Sequence, residues 1–351
     1  MFDIDTIVRE NIKRLKPYSS SRDEFNGEAK IFLDANENSF GSPLNDRYNR
    51  YPDPHQTKLK EAISKVKKID STNIFLGNGS DECIDLLFRC FCEPGKDNVI
   101  ISPPTYGMYE VSASINNVEV KKVLIDENFQ PDLAGIKNVI DKNTKIIWLC
   151  SPNNPTGNSI NKDVVKKLMA EFNGLVVIDE AYIDFSSQPS FLNELNGYSN
   201  LVVLQTFSKA WGLAALRLGI AFASPAIIQF LNKIKPPYNI SGATQQLALE
   251  AISNSYVVKN MVNEIVEQRK NLAEWLKTLS IVESVYPSDA NFLLVKTKNA
   301  MKVYQHLLLN GIVVRDRSNV ILCNNCLRIT VGTTEENNFL TQTLLNYSNE
   351  Q

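Results

Sequence analysis

Seven short apolar runs recur between residues 73 and 223. They are NIFLG (73–77), NVIIS (98–102), VEVKKVLI (118–125), KIIWLC (145–150), LVVID (175–179), LVVLQT (201–206) and LGIAFA (218–223). Each is strand-length and rich in β-branched residues, and most are apolar throughout rather than alternating. Stretches with helical spacing lie between several of them, at 80–92, 105–115, 132–140 and 161–171. Alternation of this kind predicts an α/β fold: a mostly parallel seven-stranded sheet, buried on both faces by helices. Segment 241–279 has no proline and a single glycine near its start, which predicts one long helix or two abutting ones. Beyond it, the strand-like NFLLVK and LRITVG flank a helical stretch at 300–310, as in a small α+β domain. The predicted organisation is an N-terminal segment (1–30) packing with the small domain, a large domain (31–245), a long interdomain helix (246–280) and the small domain (281–351).

Composition narrows the function classes. The 351 residues are 43% hydrophobic and 22% charged, with a formal net charge of -2, so no basic excess points to nucleic acid or an anionic membrane. No apolar run nears the ~20 residues of a membrane span. MFDIDTIVRENIKRLKPY mixes acidic, basic and apolar residues, unlike a secretory or transit leader, so a cytoplasmic location is expected. The six cysteines are expected to be reduced core residues. Cys323 and Cys326 have CxxC spacing, but neither His55 nor His306 supplies an evident second ligand pair, and no metal is expected.

In sheets of this kind ligands sit beyond the carboxyl ends of the strands, and candidate chemistry falls there. Lys209 follows the strand LVVLQT within Thr206-Phe207-Ser208-Lys209, with Arg217 eight residues on. The plain reading is a solvated lysine. The sharper one is an amine that forms a Schiff base, with Thr206, Ser208 and Arg217 anchoring the phosphate of its carbonyl partner. Asp179 ends the strand LVVID. A carboxylate there either caps the next element or meets a cation such as a pyridinium nitrogen, with Tyr182 three residues on as a hydrogen-bond donor. SPNNPTG (151–157) turns after another strand and offers the Asn153 and Asn154 amides. In GNGSDE (77–82) a glycine turn opens a helix near Ser80 and Asp81, a ready anion site. Glu82 stands where a dinucleotide fingerprint would have its third glycine. Tyr106 in PPTYGMY offers a ring for stacking or for ordinary packing.

Taken in chain order, these elements resemble the aspartate-aminotransferase superfamily of pyridoxal-phosphate enzymes (fold type I). FLDANENSFG (32–41), RYPDPH (50–55), DEAYIDF (179–185), TFSKAWGLAALRLG (206–219) and LRITVGT (327–333) narrow the resemblance to its histidinol-phosphate aminotransferase family. The resemblance implies that Lys209 binds the cofactor and shuttles the proton, and that Asp179 pairs with the ring nitrogen. Asn154 and Tyr182 hold the phenolate oxygen, Tyr106 stacks on the ring, and Ser80, Asp81, Thr206, Ser208 and Arg217 hold the phosphate. It further implies that Tyr51 reaches the neighbouring subunit's phosphate in a homodimer, and that Arg328 grips the glutamate carboxylate. Tyr18, Arg315 and Arg317 become candidates for the substrate phosphate, and Asn36 of LDANEN for substrate contact. Ser39 and Ala215 depart from the family's usual proline and glycine, and KPYSSSRDEF lacks its usual proline-glycine, which weakens the assignment of Tyr18.

The implied reaction is transamination between L-histidinol phosphate and 2-oxoglutarate, giving imidazole acetol phosphate and L-glutamate. Aromatic amino acid aminotransferase and threonine-phosphate decarboxylase are alternatives on the same scaffold. A non-catalytic regulator that binds pyridoxal phosphate is a more distant one, since only about 30 residues precede LDANEN, few for a DNA-binding module.

Overall fold

The computed structural model describes residues 2–25, 29–44 and 48–349. Helices α1 (Glu10–Arg14) and α2 (Ser21–Glu24) precede an irregular stretch that ends at α3 (Thr57–Lys67). The chain then alternates through β1 (Ile74–Asn78), α4 (Gly79–Phe91), β2 (Asn98–Ile101), α5 (Met108–Ile115), β3 (Glu119–Lys122) and α6 (Leu133–Val139). It continues with β4 (Thr144–Cys150), α7 (Lys162–Glu171), β5 (Leu175–Asp179), β6 (Leu201–Thr206), β7 (Leu218–Ala223) and α8 (Pro225–Ile234). All seven predicted strands form, in one sheet of order β1-β7-β6-β5-β4-β2-β3. From β3 to β6 every neighbouring pair is parallel, and β7 runs antiparallel to both β6 and β1.

The apolar runs of the inner strands are continuous because each feeds two cores, whereas the edge strand β3 (EVKK) is partly exposed. Ile147, Leu149, Val176 and Ile178 face one helical layer, while Ile146, Trp148, Leu175 and Val177 face the other. Successive side chains of a strand point to opposite faces, so a sheet covered on both sides needs apolar residues at every position.

Segment 241–279 resolves into two abutting helices, α9 (Gly242–Ser253) and α10 (Ser255–Leu276), which meet at Asn254. The smaller unit follows with β8 (Val282–Val285), β9 (Phe292–Thr297), α11 (Ala300–Leu309), β10 (Arg315–Asp316), β11 (Cys326–Thr330) and α12 (Thr334–Asn349). Its four strands pair antiparallel in the order β10-β11-β9-β8 over a separate core that includes Leu276, Val295, Leu307 and Leu344. Arg269 of α10 ties the two units together, donating from Nη1 to the Phe185 carbonyl (3.3 Å) and the Ala290 carbonyl (2.6 Å).

The expectation for the N-terminal segment is corrected. Its start packs on the large sheet's helices, not on the small domain. Ile7, Val8 and Ile12 join the core formed by Phe75, Phe91 and Leu231. The Arg9 N–H donates to the Cys90 carbonyl (3.0 Å), its guanidinium pairs with Glu93 (3.1 Å), and Lys233 of α8 donates to the Lys13 carbonyl (2.7 Å). Three apolar side chains within six residues needed an apolar face, and α4 with α8 supplies one.

Gly219 lets β7 approach the turn between β1 and α4. A Cβ on Gly219 would lie 2.2 Å from the Ser80 nitrogen and 2.3 Å from the Gly79 carbonyl carbon. Both are backbone atoms, so no side chain can swing aside. Gly219→Ala is therefore expected to lower unfolding stability by about 2 kcal/mol or more. Urea denaturation checks this, and an unchanged midpoint would show that the turn yields freely.

Candidate active site

The strand ends open onto a cavity of about 750 Å3 between the two units. Ser80, Asp81, Tyr106, Asn154, Asp179, Tyr182, Thr206, Ser208, Lys209, Arg217, Arg315, Arg317 and Arg328 all line it. The carboxyl ends of five strands of the large sheet (β1, β2, β4, β5 and β6), and two strands of the small sheet, thus deliver to one place the residues that the sequence marked separately.

The floor is anionic and buried. Asp179, 3% exposed, accepts from the Tyr109 hydroxyl at Oδ2 (2.7 Å) and from the Ala181 N–H at Oδ1 (3.0 Å). Burial pushes its proton affinity up, while those two donors and the nearby Lys209 charge favour the ionised form. Lys209 Nζ stands 5.6 Å from the centre of the Tyr182 ring. Lys209 keeps contact with water, yet the cavity walls displace enough solvent to disfavour its charge. Burial is the largest cause of its lowered pKa, and repulsion from Arg328 and Arg217 adds to it.

At one end, the first turn of α4 presents the unpaired backbone N–H groups that every helix start leaves. Glu82 reaches back from that turn to the Asn78 N–H, acting as a cap where a dinucleotide loop would have glycine. Arg217 leans across the turn, with Nη2 3.4 Å from Asp81 Oδ2, while its carbonyl accepts from the Gly79 N–H (2.6 Å). Thr206 Oγ1 lies 3.0 Å from Ser208 Oγ and accepts from the Ser208 N–H (3.1 Å). Two hydroxyls, a helix start and a guanidinium form a fitting cradle for a phosphate dianion. Tyr106 stands beside it, donating to Asp81 Oδ1 (3.0 Å).

The two asparagines of SPNNPTG divide their work. Asn153 is buried and structural, donating to the Pro104 carbonyl (2.8 Å) and Thr156 Oγ1 (2.7 Å) and accepting from the Thr105 hydroxyl (3.0 Å). Asn154 faces the cavity, and its Oδ1 accepts from Arg328 Nη1 (2.6 Å). An arginine can only donate, so the oxygen of Asn154 faces Arg328 and its NH2 group stays available as a donor. Gly157, at φ +85°, lets this turn dock on the small domain: a Cβ there would meet Ser288 Oγ at 2.6 Å. The Asp289 N–H closes the contact on the Gly157 carbonyl (2.7 Å).

The opposite wall is cationic. Arg315 and Arg328 are register partners on β10 and β11, and Arg317 follows directly. Among the described residues none of the three has a carboxylate within 4.0 Å, and Arg317 Nε is buried without a partner. Burial and mutual repulsion lower the proton affinity of Arg317 and Arg328.

Tyr51, Tyr18 and Asn36 stand outside this cavity. The Tyr51 ring stacks on Tyr238 (4.4 Å between centroids), its N–H donates to Glu37 (2.7 Å), and it is half-exposed. Tyr18 is 76% exposed and lines a separate groove beside α8, whose one acidic wall residue, Asp5, is exposed. Asn36 is exposed with φ +53°. Cys323 and Cys326 are buried against Ile125, Phe129 and Leu294, and no cluster of three or more metal-ligating side chains occurs among the described residues. Tyr109 was absent from the sequence-derived set. Its signal was there: Tyr106 and Tyr109 are three apart, one helical turn, directly after a strand.

The family described as "Aminotransferase class I and II" matches residues 31–344. This chain belongs to it. The histidinol-phosphate aminotransferase of Parabacteroides distasonis is 55% identical over 346 residues, 99% of each chain. The enzyme of that name from Cytophaga hutchinsonii is 54% identical over 346 residues, again 99% of each. Among solved structures, the histidinol-phosphate aminotransferase of Clostridium acetobutylicum superposes with a TM-score of 0.80 at 27% identity, covering 87% of this chain and 92% of its own.

Proposed function

We propose that the chain is a pyridoxal-phosphate-dependent transaminase that exchanges an amino group between L-histidinol phosphate and 2-oxoglutarate, giving imidazole acetol phosphate and L-glutamate. The observation that carries this reading is a single cavity with a lysine, a buried aspartate, a phosphate cradle and three arginines free of carboxylates. The 52–55% identity of the relatives over nearly the whole chain, all named histidinol-phosphate aminotransferase, supports the substrate.

When bound, the cofactor supplies an aldehyde that condenses with amines and a ring that withdraws electrons from the carbon losing its proton. The chain's residues do the rest. Arg217, the hydroxyls of Thr206 and Ser208 and the N–H groups at Ser80 and Asp81 hold the phosphate. Asp179 would keep the ring nitrogen protonated, Asn154 and Tyr182 would hold the ring oxygen, and Tyr106 would cover the ring face. Lys209, whose surroundings disfavour its charge, would hold the cofactor through its aldehyde and, once the substrate amine had displaced it, would accept the α-carbon proton at Nζ. Arg328 receives the amino-donor carboxylate, and Arg315 or Arg317 the phosphate ester.

The active unit is a homodimer. Tyr51 lies outside its own chain's cavity, and the stretch around it exposes Ile31 (74%), Leu33 (83%), Phe40 (103%) and Leu44 (62%). An apolar surface of that kind fits a second copy that takes Tyr51 to its own phosphate cradle. The expected location is cytoplasmic; no described helix is long and apolar enough to cross a membrane.

Purified protein with pyridoxal phosphate is expected to show a visible absorbance band, bleached by glutamate and by histidinol phosphate in turn. Bleaching by glutamate alone would retain the transaminase and overturn the substrate; carbon dioxide release would point to decarboxylation. For the dimer, refolding Lys209→Ala together with Tyr51→Ala chains should restore roughly a quarter of native sites. No gain over the separate variants would refute a shared site.

A further inference from the structure

A buried hydrogen bond to Asp179 comes from a residue behind the cavity wall that the proposed chemistry leaves without a task. Tyr109 is fully buried, and its hydroxyl donates to Asp179 Oδ2 at 2.7 Å. Its ring stacks on Trp148 (5.0 Å, 16°), which stacks in turn on Phe88 (5.3 Å, 21°). Tyr106 closes on its edge (5.6 Å, 84°). The hydroxyl is thereby held against Asp179, with the Cys150 sulfur as its other close neighbour. The Cys150 thiol donates to the Pro152 carbonyl (3.4 Å), so its sulfur can only accept from the Tyr109 hydroxyl and does not compete as a donor for Asp179.

We propose that Tyr109 is a positioning residue of the site: it fixes one oxygen of Asp179 and stabilises its ionised form, so that the carboxylate meets the cofactor ring nitrogen as an anion. The proposal rests on the pyridoxal-phosphate reading above. It adds a residue that touches neither substrate nor cofactor.

The groups facing Asp179 come from several elements. Tyr109 lies on α5, Cys150 at the end of β4, Asp81 and Cys83 on α4, Lys209 after β6, and Tyr182 after β5 itself. Lys209 favours the carboxylate and Asp81 opposes it, while burial keeps the thiols and phenols neutral. Burial of Asp179 is the largest influence and favours the protonated form; the Tyr109 bond is the largest opposing one. The sign follows. A donor to the carboxylate lowers its pKa, so removing the donor raises it. The carboxylate is then lost at a higher pH as acid is added, and a protonated ring nitrogen loses its counter-ion with it.

The test is titration of the cofactor-free protein with pyridoxal phosphate across a pH series, read by absorbance and tryptophan fluorescence. In Tyr109→Phe, the acid limb of cofactor affinity should move up by about one pH unit, the scale of one hydrogen bond to a charge. Binding should be roughly tenfold weaker at the acid end and little changed above neutrality. A 3-fluorotyrosine at position 109 is a stronger donor in the same volume, and should move the limb down. That chain decides the matter should the phenylalanine variant not fold. Limbs that stay in place while the unaltered protein binds cofactor would overturn the role of Tyr109 alone, leaving it a packing residue. No uptake of cofactor by the unaltered protein at any pH would overturn the cofactor reading and this inference together.

Discussion

A carboxylate at the end of a fully buried strand is the constraint around which this molecule is arranged. Asp179 closes β5, the middle strand of the seven, with both cores packed against the residues before it. Left unpaired there it would cost several kcal/mol, or would simply take up a proton. The protein gives it the Tyr109 hydroxyl and the Ala181 N–H, and the Lys209 charge close by. None of these is a cation in contact. Under the proposed reading a protonated ring nitrogen would complete the set, and the burial that makes the aspartate costly would favour such a cation.

The remaining geometry brings two separately folded surfaces onto that point. The large sheet contributes strand ends that offer an anion cradle and a lysine, and the small sheet contributes arginines. The junction is narrow and specific. Gly157 admits Ser288, the Asp289 N–H reaches the Gly157 carbonyl, Arg269 spans to Phe185, and Arg328 grasps Asn154. The last contact fixes the Asn154 amide, with its oxygen on the guanidinium and its NH2 group free to donate into the cavity. One cavity can therefore accept both a carboxylate and a phosphate ester without a cationic wall that collapses onto its own acids.

Much of this was legible in the residues. A sheet covered on both faces demands apolar runs along its inner strands, and the seven predicted strands all formed, with chemistry just past their ends. What stayed hidden has physical causes. Ile7, Val8 and Ile12 showed that the N-terminal segment had an apolar side, but not which of two domains would cover it; the partner is a matter of tertiary packing. Tyr109 was overlooked because a buried aromatic near a strand looks like core, and it is core, apart from one oxygen. Asn153 and Asn154 are identical as letters, and only the turn decides which points into the protein and which into the cavity. Tyr51, Tyr18 and Asn36 came from resemblance to a family, and in this chain they lie outside the cavity lining.

The central claim is that Lys209 carries pyridoxal phosphate in this cavity, and the most direct measurement is chemical. The protein is incubated with the cofactor, reduced with borohydride and digested, and the modified peptide is mapped by mass spectrometry. The account predicts one phosphopyridoxyl group per chain, on the peptide that contains Lys209. Modification spread over surface lysines, or fixed at another lysine while Lys209 stays free, would contradict it.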